Sequence, residues 1–193
     1  MRRTQPRGYR SARCFRCGAS VFYPEARAFL QRPAADALVR AHRKLKSYGY
    51  GLLIHDGYRP WYVTKTFWDA TPPDKKWLVA NPATGSRHNR GAAVDLTLYD
   101  LTTGRAVEMP STYDESTPRA YAFYPGGSDA QRWRRALLRR VMEADGFTVN
   151  PNEWWHFDYK DWQRYAIGNA PFTAIKSTLE REPDEAAPLT AAR

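Results

Sequence analysis

The chain has 193 residues, a length that suits one folded domain with a sizeable core. Aromatic residues make up 14% of it, including seven Trp and twelve Tyr, and so much large apolar material excludes a disordered polymer. No run approaches the roughly 18 to 20 apolar residues of a membrane span, and the net charge of +10 is spread along the chain.

The first ten residues, Met1 to Arg10, are basic and polar with no apolar stretch behind them, which is not the pattern of a secretory signal. A cytoplasmic protein is expected, or a periplasmic one if a leader preceded Met1. Residues 1 to 32 read as an irregular arm with short extended pieces. It holds the only two cysteines, Cys14 and Cys17, spaced C-x-x-C. A four-cysteine zinc knuckle needs a second pair, and a redox pair belongs at a helix start after a strand. The two therefore read as incidental reduced thiols, with a local disulfide or a metal half-site as the other options.

Pro33 to Ser47 is predicted to be a helix: Pro33 suits a first turn, Leu38, Ala41 and Leu45 recur at helical spacing, and Gly49 ends it. Gly51 to Asp56 is a short apolar run expected as a buried strand. A turn at Gly57 to Pro60 leads into a second helix over Trp61 to Ala70. Thr71 to Pro73 breaks that helix, and Asp74 to Ala80 is a candidate for another. Asn81 to Arg90 is a polar loop. In Ala92 to Tyr99, Val94, Leu96 and Leu98 alternate with Asp95 and Thr97 as in a strand. Leu101 to Gly127 is long and turn-rich, and loops of that length in compact domains usually carry function or take order from a ligand. Ser128 caps a helix that runs to about Asp145 and stops at Gly146. Arg132, Arg134, Arg135, Arg139 and Arg140 lie on it and read as a solvated face rather than a nucleic-acid patch.

Phe147 to Asn150 and Trp154 to Tyr159 are expected as strands around a Pro151 turn. The last residues, 177 to 193, are polar and rich in Ala, Pro and Glu, as in a frayed tail. This irregular alternation predicts an α+β fold: a single domain over residues 1 to 176, with a mostly antiparallel sheet and flanking helices.

Three segments carry chemistry: Ser86-Arg-His-Asn-Arg-Gly-Ala-Ala-Val-Asp95, Glu153-Trp-Trp-His156, and Asp56-Gly-Tyr-Arg59-Pro60. Two of the four histidines lie in the first two. Catalytic zinc typically takes three ligands from His, Asp and Glu and leaves a position for water, and His88, Asp95 and His156 supply such a set. A spacing of seven on one straight strand would turn His88 and Asp95 to opposite faces. Gly91 is placed to bend the chain between them, which puts His88 on a loop and Asp95 on the strand after it. Glu153 and His156 would diverge in the same way, so either Glu153 precedes the regular strand or a bulge intervenes. Pro151 and Asn152 favour the first arrangement, with Trp155, Phe157 and Tyr159 facing the core. His42 and His55 have no such partners and read as a helix-surface residue and a strand residue turned away from Ile54.

Together these motifs resemble the zinc D-alanyl-D-alanine dipeptidases of the vancomycin-resistance type. Those enzymes belong to a wider group of D,D-carboxypeptidases and cell-wall endolysins that shares its fold with the hedgehog signalling domain. The resemblance runs from about Tyr9 to Tyr159. It implies one zinc ion on His88, Asp95 and His156, Glu153 as general base, Arg59 as stabiliser of the transition state, and a small dipeptide as substrate. It also implies substrate contacts from Tyr9 and Ser86, with Asp114 near the dipeptide's amine. The Trp154-Trp155-His156-Phe157 run and the Arg59 turn favour the dipeptidase branch, whereas Cys14-Phe-Arg-Cys17 departs from the Asn-Phe-Thr-Gly usual in the family's pocket wall. The alternatives are a carboxypeptidase or endolysin with the same zinc site, a non-catalytic hedgehog-like zinc domain, and a basic nucleic-acid binder. Glu153 and Arg59 speak against the second, since a structural metal site needs neither.

Overall fold

The computed structural model describes residues 27–175. Tyr9, Cys14, Cys17, most of the expected N-terminal arm and the tail over 177–193 lie outside those residues. The element order is α1 (Arg32–Lys46), β1 (Tyr50–Asp56), α2 (Trp61–Ala70), β2 (Ala93–Asp100), α3 (Asp129–Ala144), β3 (Phe147–Asn150) and β4 (Glu153–Tyr159). Short 3-10 turns punctuate the loops. One of them, Pro73–Leu78, stands where a helix was expected to start at Asp74.

The strands form one sheet in the order β1-β2-β4-β3, and every neighbouring pair is antiparallel. Leu52 lies opposite Leu98, Ile54 opposite Leu96, and Val94 opposite Phe157. Those side chains form one face of the sheet. They join Ala34, Ala37, Leu38, Ala41 and Leu45 of α1 and Leu137, Leu138, Val141 and Met142 of α3 in a single core. The two helices also touch each other, so one layer of helix covers one face of the sheet. Because side chains alternate along a strand, Asp95 and Thr97 point to the other face. That face carries the site.

Local sequence explains the element ends. Ser128 Oγ accepts from the Gln131 N–H at 3.2 Å, and Gln131 Oε1 accepts from the Ser128 N–H at 2.9 Å, a reciprocal cap on α3. Arg43, Lys44 and Lys46 sit in the last turn of α1, where positive charge complements the helix dipole. Among the described residues no helix is long and apolar enough to cross a membrane.

Three expectations are corrected. Arg135 is not part of a solvated face: its side chain is buried, and its guanidinium donates to the carbonyls of Tyr121 and Tyr124. That anchor, with the Trp154 indole donating to Ser111 Oγ at 2.8 Å, orders the long 101–127 loop from within the protein. His42 does not simply face solvent, because its Nδ1 accepts from the Leu52 N–H at 3.2 Å and ties α1 to β1. Glu153 does not precede β4; it opens the strand. Val149 pairs with Phe157 but Asn150 pairs with Glu153, so a bulge across Trp154, Trp155 and His156 resets the faces and buries both tryptophans.

Leu98 is fully buried on β2 between the helices and β1. Leu98→Ala is expected to lower the unfolding free energy by about 2 to 5 kcal/mol, read from urea denaturation with an unchanged m-value.

Candidate metal centre

His88 opens a 3-10 turn, His88–Arg90, which ends on Gly91 in the left-handed region at φ +62. This is the bend that the spacing of His88 and Asp95 requires. The Gly91 carbonyl also receives the Gln31 N–H at 2.8 Å, and a Cβ on Gly91 would stand 3.3 Å from that nitrogen. Asn89, fully buried beside His88, fixes the turn to its surroundings. Its amide donates to the Arg59 carbonyl at 2.7 Å and to Thr64 Oγ1 at 2.8 Å, while its Oδ1 accepts from the Ser86 N–H at 2.7 Å. The Arg59 N–H donates in turn to the His88 carbonyl at 3.0 Å. The Arg59 turn and the His88 loop are therefore one hydrogen-bonded unit.

Asp95 and His156 are direct partners across β2 and β4. Asp95 Oδ1 lies 2.9 Å from His156 Nδ1 and 3.4 Å from His88 Nε2, and the two ring nitrogens are 3.1 Å apart. Tetrahedral zinc with bonds of about 2.0 to 2.1 Å has ligand-to-ligand edges of about 3.3 Å, so the three atoms fit around one such ion. The other ring nitrogens are already occupied. His88 Nδ1 donates to the Gly57 carbonyl at 2.8 Å, and His156 Nε2 donates to Asp158 Oδ1 at 3.0 Å. Those partners turn His88 Nε2 and His156 Nδ1 inward as lone pairs, facing a carboxylate oxygen. Three electron-rich atoms at such distances in a buried site call for a cation.

The titration of the cluster says the same. Burial alone would raise the Asp95 carboxyl, but the His88 and His156 imidazoles outweigh it and hold that carboxyl well below the ordinary range. Burial works against a charge on His156, yet hydrogen bonds to Asp158 and Asp95 and the charges of both carboxylates push its pKa up to about 10. Without a metal, a proton takes the cation's place.

The cluster lies in a cleft of about 550 Å³ lined by Arg59, Ser86, Asp114, Glu153 and others. Glu153 Oε2 is 3.8 Å from His156 Nδ1 and accepts from Asn150 Nδ2 at 3.0 Å. Burial, then the Asp95 charge, raises its carboxyl pKa against the pull of the two imidazoles. Arg59 donates through Nε and Nη2 to Asp56 Oδ2, at 2.8 and 2.6 Å, and its guanidinium lies 5.1 Å from the centre of the Phe67 ring. Ser86 Oγ accepts from the His88 N–H at 3.2 Å, so it shapes the ligand loop as well as lining the cleft. Asp114 is exposed at the cleft in a left-handed conformation, φ +60. Tyr9 lies outside the described residues.

A family profile described as D-Ala-D-Ala dipeptidase, Peptidase_M15, matches residues 9–175. The D-alanyl-D-alanine dipeptidase of Escherichia coli K12 is 34% identical over 147 residues, 76% of this chain and 75% of its own length. That of Enterococcus faecium is 36% identical over 143 residues, 66% of this chain and 71% of its own. The chain belongs to the D-Ala-D-Ala dipeptidase family. It is accordingly a metallopeptidase, and zinc is its cofactor. Among solved structures, the vancomycin-resistance D,D-dipeptidase VanXYg, in complex with a D-Ala-D-Ala phosphinate analogue, aligns with a TM-score of 0.47 and 20% identity. The alignment covers 70% of this chain and 52% of that one.

Several residues of this dipeptidase's site escaped the sequence reading. Asp158, which holds His156, stands two residues after it on the same strand face, so the His-x-Asp spacing was the available signal. Arg87 forms an ion pair with Asp158 and lies 4.6 Å from the centre of the Trp162 ring. Asp56 stood inside the Arg59 motif without a role. Tyr113 and the amide nitrogen of Asn89 carried no local signal, because their partners come from distant parts of the chain.

In the metal-free dipeptidase, protonated His156 stabilises the fold fully below its ordinary pKa of 6.5, and that contribution is lost as pH rises through about 10. The melting temperature in chelator is therefore expected to fall across that window, and zinc-loaded protein or a His156→Gln variant should lack the slope. A flat profile for the metal-free wild type would contradict the assignment.

Proposed function

We propose that this dipeptidase hydrolyses D-alanyl-D-alanine or a closely similar D,D-dipeptide, with zinc held by His88, Asp95 and His156. The observation that carries the reading is the convergence of Oδ1, Nε2 and Nδ1 within 2.9 to 3.4 Å of one another, beside the Glu153 carboxylate. The relatives in Escherichia coli and Enterococcus faecium, named as D-alanyl-D-alanine dipeptidases, support the substrate class. The family match over 9–175 supports residues 1–176 as the catalytic domain.

When bound, zinc supplies a Lewis acid that acidifies water and polarises a carbonyl. Glu153 is the general base. Its raised pKa brings it nearer the pH at which it is both ionised and proton-hungry, and the Asn150 amide aims it. It removes a proton from the attacking water as the new C–O bond forms, then delivers that proton to the amine as the C–N bond breaks. Arg59 stabilises the negative charge that develops on the carbonyl oxygen. Asp56 clamps its Nε and Nη2 on one oxygen, so the guanidinium is in place before the reaction and little reorganisation is needed.

A free dipeptide brings an ammonium and a carboxylate. Asp114 at the cleft suits the ammonium, and Ser86 and Tyr9 are the further substrate contacts of this reading. A site that pairs both ends disfavours longer peptides, because a chain extended at either end leaves a charge unpaired. This separates the dipeptidase from a wall carboxypeptidase, which would release alanine from a muropeptide pentapeptide faster than from free D-Ala-D-Ala.

Two outcomes are expected. Glu153→Ala should keep one zinc per chain and lose turnover of D-Ala-D-Ala; measurable hydrolysis by the zinc-loaded variant would refute the base. Arg59→Ala should lower kcat by about a hundred- to a thousandfold at unchanged zinc content, as loss of an oxyanion donor does.

A further inference from the structure

We propose that Tyr113 is a positioning residue that holds one oxygen of Asp95 away from the metal and so keeps a coordination position open for the reacting groups. The inference rests on the reading of His88, Asp95 and His156 as the zinc ligands.

The two oxygens of Asp95 have different surroundings. Oδ1 faces the two imidazoles, and Oδ2 accepts a hydrogen bond from the Tyr113 hydroxyl at 3.1 Å. The Asp95 side chain is buried, 6% exposed, so that hydroxyl is not easily replaced by bulk water. The phenol ring has little freedom to leave. One face stacks on His55, with ring centres 4.3 Å apart and planes at 17°, and Trp155 meets it edge-on at 5.7 Å. The loop on either side is pinned: Ser111 Oγ receives the Trp154 indole N–H, and Glu115 Oε2 accepts from the Thr112 N–H at 3.1 Å. The hydroxyl therefore reaches Oδ2 from a place set by packing rather than by the bond itself.

A carboxylate can bind a divalent ion through one oxygen or through both. A catalytic zinc with three protein ligands keeps its remaining position for water or substrate, and in some enzymes expands to five ligands in the transition state. An Asp95 free to offer both oxygens would compete with substrate and water for that room. The Tyr113 hydrogen bond removes Oδ2 from the competition and leaves Oδ1, the atom that already fits the ligand triangle. It also leaves the carboxylate oriented by a partner outside the ligand set, as Gly57 and Asp158 orient the two histidines. His55, which seemed a strand residue without function, supplies the surface against which Tyr113 rests.

Tyr113→Phe removes the hydroxyl and keeps the ring and both aromatic contacts. Zinc is spectroscopically silent, so the test uses the full chain loaded with cobalt(II), whose visible absorption weakens and shifts when a fourth ligand becomes a fifth. The expected result is a weaker, shifted spectrum for Tyr113→Phe. It should come with a fall in kcat of about 10- to 100-fold and a smaller change in KM. A cobalt spectrum superimposable on wild type, with kcat unchanged, overturns the proposal. A loss of kcat with an unchanged spectrum overturns it as well, because Tyr113 would then act other than through the ligand count. Wild-type protein that takes up no cobalt would instead overturn the metal-site reading. A metal-free Tyr113→Phe that melts with wild type keeps the comparison free of a folding defect.

Discussion

The site depends on one pairing in the sheet. β2 and β4 run antiparallel with Asp95 opposite His156, which sets a carboxylate and an imidazole side by side on the face away from the helices. The opposite faces of the same strands, through Val94, Leu96 and Phe157, are locked into the core between α1 and α3. The positions of Asp95 and His156 are thus fixed by the packing of their neighbours rather than by any attraction between them. His88, brought in by the Gly91 bend, completes a triangle of electron-rich atoms that only a cation relieves. Folding supplies the geometry and the strain together.

Around that triangle lies a ring of groups that set how its three side chains point. The Gly57 carbonyl selects the His88 tautomer, Asp158 selects that of His156, and Arg87, its guanidinium over the Trp162 ring, pairs with Asp158 in turn. Asn89 connects the His88 loop to the turn that carries Arg59, so His88 and Arg59 cannot move independently. Asp56, whose other oxygen accepts from the Gly57 N–H, extends the same network from the guanidinium to the carbonyl that holds His88.

The sequence disclosed these parts unevenly, and for physical reasons. The gathering of His88, Asp95, His156 and Glu153 at one cleft was legible because histidine is scarce in this chain and their spacing demands a bend or a bulge. The Gly91 turn appeared where that argument put it. The helices α1, α2 and α3 were legible from apolar spacing and caps within a residue or so of their ends. What stayed hidden depended on long-range partners. The bulge in β4 is a relation between two strands, and neither strand shows it alone. Arg135 looked solvated because a helix face of arginines usually is; the two carbonyls that bury it belong to a loop of no regular structure. Tyr113 sat in that same loop, eighteen residues from Asp95, with nothing nearby to mark it.

The spread of the proposed ligands along the chain has a consequence for the lifetime of the protein. His88 and His156 are 68 residues apart, and the intervening stretch includes β2, the long loop, α3 and β3. An ion held by both, as proposed, would act as a removable staple across about a third of the chain, adding its binding free energy to the stability of the folded state because the site exists only there. On that reading metal supply would govern durability as well as chemistry: a starved molecule would open more readily and be the easier target for cellular proteolysis.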